Sequence, residues 1–283
     1  MSWKTLLGAG VLAVLIFGGY RFALIAGSIS MPSSEEEVAA LRVKAAAQRE
    51  DRIYRPPPSP RALPSPNPWK NVYFGDLHVH TSISADAYLF GNRFGLDSAY
   101  AFARGEALEL RTGELAQLSR PLDFVALTDH AEAFGRVEAC ADGGFGPGAK
   151  EGCEFLEKPS VWGFLQMRGR AEQRPVRRKL DVFNEDPALE RVYAARTWQA
   201  VQDAAERHYV PGVFTTFVGY EYSPALPDRG KHHRNVIFRT KAAPEYAVSA
   251  VDADSEIDLW NQLGQQCTGL CEFLTIPHNP NKS

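Results

Sequence analysis

The chain has 283 residues, 45% of them apolar and 23% charged, with a formal net charge of -3. This composition excludes a fibrous or wholly disordered chain and bounds the molecule at one large domain or two small ones. The near-neutral balance supplies no field for nucleic acid, and none is expected as a partner.

Residues 1–30 open with a single lysine, Lys4, and then an uncharged run from Thr5 to Tyr20. This pattern is that of a signal anchor or a signal peptide. Arg21 can snorkel, and Phe22 to Ile25 extend the apolar run toward the length of a span. No small-x-small cleavage site follows, which favours an uncleaved anchor. Lys4 on the near side predicts a cytoplasmic N-terminus and an exported body. The expected location is the inner membrane facing the periplasm, or the periplasm or medium if the segment is cleaved.

Residues 31–68 read as a helix and a linker. Ser33 or Ser34 can cap a helix over Ser33 to Glu50, with Glu36 or Glu37 closing a capping box. Seven of the thirteen residues from Pro56 to Pro68 are proline. Proline cannot donate ladder hydrogen bonds and favours extended polyproline II, so this stretch reads as a semi-rigid spacer.

The folded part is expected over residues 69–283. "NVYFGDLHVH", from Asn71, is a strand candidate, and Asp97 to Leu110 a helix capped by Asp97. "LDFVALTDH", Leu122 to His130, is apolar and then polar, as a buried parallel strand reads when its C-terminal end carries chemistry. Glycine-rich Ala139 to Gly152 reads as a loop. Asp186-Pro187 opens a helix running to His208. Further strands are expected at Val213 to Ser223, His233 to Arg239 and Cys271 to Asn279. Strands alternating with helices or long loops, and ending in His, Asp or Glu, predict an α/β barrel with its site at the C-terminal mouth.

Strand side chains alternate faces, so His78 and His80 point the same way. Paired imidazoles suit a divalent ion such as zinc, manganese or iron. Asp129 with His130, Glu221, His233 and His278 also lie beside strands. Six of the seven histidines fall in or next to these segments; His208 alone lies elsewhere. So many ligands point to more than one metal, with Asp86 or Glu221 able to bridge. Such a centre favours ester hydrolysis, most naturally of a phosphoester. Asp76 and Asp129 are candidate acceptors behind the ligating imidazoles.

"HVHTSISADA", His78 to Ala87, resembles the first motif of the polymerase and histidinol phosphatase (PHP) superfamily. "LTDH" resembles its second motif, "GYE" its glutamate motif, and "IPHN" its later strand-end histidine. The stretches "GDLHVHTSISADAYLFG", "RPLDFVALTDHAE" and "HRNVIFR" look more narrowly like the family catalogued as domain of unknown function 3604. The resemblance implies a distorted β/α barrel, two or three divalent ions, and attack on a small-molecule or lipid phosphoester by a metal-bound hydroxide. Carried over by position, it implies His78, His80, Asp86, His130, Glu221 and His278 as metal ligands. His233 is a weaker ligand candidate that would instead contact the leaving group, and Asp129 stands beside it among the catalytic candidates. The superfamily's late Asp-x-His-like motif has no counterpart after His278. The expectation is therefore an N-terminal part of a longer protein, with barrel and metal shell incomplete.

Two other readings compete. An amidohydrolase barrel also begins with His-x-His but needs a strand lysine, for which Lys241 is the nearest candidate. A membrane-tethered, non-catalytic metal-binding module needs no turnover at all. Cys140 and Cys153 can pair in an exported protein or remain thiols, and Cys267 and Cys271 can pair with each other or elsewhere. The run Arg168 to Lys179 is basic and reads as a solvated surface or an anion-attracting patch.

Overall fold

The computed structural model describes residues 35–49, 62, 65, 67, 70–146, 149–157, 182–224 and 232–278. The expected membrane segment, the Ser33 or Ser34 cap, most of the proline-rich spacer and the basic run at 168–179 lie outside the described residues. No helix among the described residues is long and apolar enough to cross a membrane.

The described chain is mixed α/β. Helix α1, Glu35–Arg49, precedes strand β1, Gly75–Val79, and two helices follow, α2 at Ala85–Leu89 and α3 at Leu96–Ala103. The short antiparallel pair β2, Leu108–Glu109, and β3, Leu115–Ala116, leads into β4, Phe124–Leu127. A 3-10 turn at Ala131–Ala133, α4 at Arg136–Ala141, α5 at Ala149–Glu157 and the long α6 at Pro187–His208 come next. The chain then runs through β5, Thr215–Phe217, β6, Gly219–Tyr222, β7, Arg234–Phe238, helix α7, Glu256–Gln266, and β8, Phe273–Pro277.

Two three-stranded sheets result, in the orders β1-β4-β5 and β6-β7-β8. The first is parallel and the second antiparallel. Only Val218 separates β5 from β6, and its carbonyl accepts from Phe238 N at 2.9 Å. Glu221 N in turn donates to Asp129 O at 2.9 Å. The segment from Thr215 to Tyr222 thus passes from one sheet into the other and stitches them together. The barrel expected from the sequence is not closed among the described residues: β1 and β8 each have a strand neighbour on one side only.

Local chemistry explains the main elements. Asp186 caps α6, accepting from Ala188 N and Leu189 N at 2.9 and 3.1 Å, with Pro187 in the first turn. Gly75 is required where β1 meets β4, because a Cβ there would stand 2.3 Å from Phe124 O. In β6, Tyr220 and Tyr222 face the core and Glu221 the opposite side, as strand alternation demands. The core gathers Trp198 of α6, Tyr220, Phe238 and, from α7, Leu259 and Leu263. Trp198 is fully buried and its indole N–H donates to Pro244 O at 2.8 Å.

The loop expected at Ala139 to Gly152 is corrected to two short helices, α4 and α5, around a turn. Cys140 and Cys153 join them in a disulfide, and Leu156 packs on Leu89 of α2. Tertiary contact and a covalent link offset the low helix preference of the glycines there. Cys267 and Cys271 also pair, so no cysteine is free.

Candidate metal centre

Four strand ends converge on one carboxylate. β1 ends at Val79 and delivers His78 and His80; their Nε2 atoms lie 3.1 Å apart, as alternation predicted. Both reach Glu221 Oε2, at 3.0 and 2.9 Å. His233, which precedes β7, places Nδ1 2.7 Å from Glu221 Oε1. His278, which follows β8, places Nε2 3.3 Å from the same oxygen. His278 N donates to His233 O at 3.3 Å, so the β7–β8 pairing sets these two histidines side by side. Glu221 itself is 1% exposed.

A second cluster adjoins the first. Asp86, in the first turn of α2, lies 3.4 Å by Oδ1 from His80 Nδ1 and 3.1 Å by Oδ2 from His130 Nε2. His130 follows β4 and pairs with Glu221 through an isolated parallel bridge. Three overlapping groups have ligand atoms mutually close enough for one ion: His78, Glu221 and His278; His80, Asp86 and His130; and His130, Glu221 and His233. The donor set fits a divalent ion. Imidazole nitrogens and carboxylate oxygens are the ligands of zinc, manganese and iron sites.

The electrostatics follow from this geometry. Burial works against charge on Glu221, but hydrogen bonds from His233, His278, His78 and His80 hold its carboxyl far below the ordinary carboxylate range. Burial opposes ionisation of Asp86 as well, and His130 and His80 overcome it and lower its pKa strongly. Burial pulls the His80 imidazolium down, yet its bonds to Asp86 and Glu221 prevail and push it up to about 10. His233 moves the other way, because burial outweighs its bond to Glu221.

One pH dependence follows for the metal-free chain. The folded pKa of His80 lies above its ordinary 6.5, so the stability that it contributes is complete below pH 6.5 and is lost as pH rises through about 10. The carboxylates Asp86 and Glu221 are shifted downward and do not titrate in that window. Chemical denaturation of the metal-free chain at pH 6, 8 and 10 should show wild type losing more stability than His80→Gln. Parallel curves would contradict this assignment.

Every expected metal ligand, His78, His80, Asp86, His130, Glu221 and His278, lies in these groups, and so does His233. Asp129 belongs to none of them. Its oxygens instead accept from Thr81 N at 2.6 Å and Thr81 Oγ1 at 3.0 Å, tying the end of β4 to the residue after His80. Burial raises its pKa, against the pull of Thr81 and Ser84. Asp76 accepts from its near neighbour's backbone, His78 N, at 2.9 Å. Lys241 is exposed, 3.9 Å from Glu206.

Sequence reasoning missed several buried polar supports. Ser84 Oγ accepts from His130 N at 2.9 Å. Asn235 Nδ2 donates to Leu77 O at 2.7 Å, bracing β1 from β7. Glu132 Oε1 accepts from Ser223 N and Ala250 N, both at 2.9 Å. Glu132 stands two residues past His130, and Ser223 two past Glu221. For Ser223 that spacing was the available signal, since extended chain returns a side chain to the same face every second residue, whereas Glu132 lies in the 3-10 turn after His130 and no strand period points to it.

Fold and site together define an α/β protein whose strand ends carry a histidine–carboxylate cluster able to hold metal. A family model described as "Protein of unknown function (DUF3604)" matches residues 67–283, and the chain belongs to that family. No curated protein and no solved structure matches the chain.

Proposed function

We propose that the protein is a metal-dependent hydrolase of phosphoesters, with a PHP-type site set in a distorted β/α barrel. The observation that carries this reading is the Glu221 carboxylate bracketed by imidazoles from three other strand ends, with the Asp86 cluster alongside. His78, His80, Asp86, His130, Glu221 and His278 would hold two or three divalent ions, with His233 against the shared carboxylate. Such ions lower the pKa of a bound water and neutralise phosphoester charge.

The chain's own residues supply the preorganisation. Asp129 and Ser84 lock the first two motifs together, so the imidazoles are aimed before any ion arrives. His278 Nδ1 is buried with no hydrogen-bond partner among the described residues, and the ring is oriented by Nε2 beside Glu221 and by packing on His78. Its surroundings exclude water from that edge. His233, held against Glu221 through Nδ1, is the residue assigned to contact with a leaving group.

An exported chain, anchored through residues 1–30 and acting on a small-molecule or lipid phosphoester, fits the same reading. Two disulfides and no free cysteine support an oxidising compartment. The amidohydrolase reading loses support because Lys241 pairs outward with Glu206 rather than joining the cluster.

The test uses metal-free full chain supplied with Zn2+, Mn2+ or Fe2+, assayed on a p-nitrophenyl phosphodiester and monoester. Metal-dependent turnover, lost in His78→Ala/His80→Ala, is expected. Tight metal binding without turnover on either ester would favour the non-catalytic module.

A further inference from the structure

Ser223 lies just past the end of β6 and is 1% exposed. Its hydroxyl oxygen stands 2.5 Å from His130 Nδ1 and 2.8 Å from Glu221 Oε1. A serine hydroxyl has one proton to give, and an ionised carboxylate has none. Two oxygens 2.8 Å apart need a proton between them, so the Ser223 hydroxyl donates to Glu221. Its oxygen is then an acceptor toward His130, and His130 Nδ1 must carry hydrogen.

The consequence falls on the other ring nitrogen. In a neutral imidazole with hydrogen on Nδ1, Nε2 is a bare lone pair. That lone pair faces Asp86 Oδ2 at 3.1 Å, a spacing filled by a proton on Nε2 in the metal-free ring and by a shared divalent ion when metal is bound. The backbone of Ser223 is itself held, because Ser223 N donates to the buried Glu132.

We propose that Ser223 is a positioning residue that keeps the proton on His130 Nδ1. His130 then binds metal through Nε2, with His80 and Asp86, and does not serve the group containing Glu221 and His233. This assignment rests on the metal-binding reading above. It resolves a conflict in the geometry, in which the His130 ring falls in two ligand groups at once.

The experiment is nitrogen-resolved NMR of the Zn2+-loaded chain labelled at histidine, with Zn2+ titrations of wild type, Ser223→Ala and Ser223→Thr. Wild type should show His130 protonated at Nδ1 and ligated through Nε2. Ser223→Ala should lose that single signature and weaken one class of Zn2+ sites by roughly 10–100-fold, as loss of a partner behind a ligand does. Ser223→Thr, which keeps the hydroxyl, should restore both, and equal thermal midpoints would separate this effect from misfolding. Ligation through Nδ1, or an alanine variant indistinguishable from wild type, would overturn the role of Ser223 while leaving the metal centre intact. Absence of Zn2+ binding in wild type would overturn both.

Discussion

Glu221→Gln is expected to abolish tight metal binding and, with it, metal-dependent hydrolysis. The substitution keeps the shape of the side chain and removes the negative charge on which His78, His80, His233 and His278 converge. Two of the three ligand groups contain Glu221, so one neutralised carboxylate weakens both. Residues that merely support a ligand typically cost 10–100-fold in affinity, and direct loss of a shared ligand should exceed roughly 100-fold. The amide would also present N–H donors to nitrogens that need an acceptor, so wild-type orientation cannot persist. Calorimetric titration with Zn2+ checks the affinity, and the phosphodiester assay checks turnover. Retention of affinity within tenfold of wild type would remove Glu221 from the centre of the account.

Trp198→Ala is the substitution expected to cost most in stability. The indole is fully buried between Phe134, Tyr220 and Phe238, and its N–H is satisfied by Pro244 O. Truncating a buried tryptophan to alanine typically costs about 3–5 kcal/mol. For a domain of this size, that corresponds to a fall in Tm on the order of 10 °C. Trp198 joins α6 to the inner face of β6, the strand that presents Glu221 on its other side. The variant should therefore bind metal normally while folded and melt early. A loss of affinity at low temperature, well below its melting point, would show that the core and the site are coupled more tightly than strand alternation implies.

Much of the site was legible because strands impose it. His78 and His80 lie two apart at the end of β1, and His130 and His278 sit where an apolar run turns polar, while Glu221 lies within β6 and Asp86 in the first turn of α2. Asp186-Pro187 announced α6 through capping alone. Other features depended on contacts between distant residues. Helices α4 and α5 form across a glycine-rich stretch because a disulfide and the Leu89–Leu156 contact hold them. The antiparallel turn of the second sheet was hidden in the single residue Val218, where the chain changes partners. Asp129 was legible as a polar residue at a strand end, yet its partner is Thr81 rather than a ligand group. Composition around one residue does not say which neighbour will claim its oxygens.

The most direct test of the central claim is the metal content of the purified full chain by elemental analysis, beside His78→Ala/His80→Ala. The account predicts at least two equivalents of divalent metal in wild type and a marked loss in the double variant. Less than one equivalent in both would contradict it.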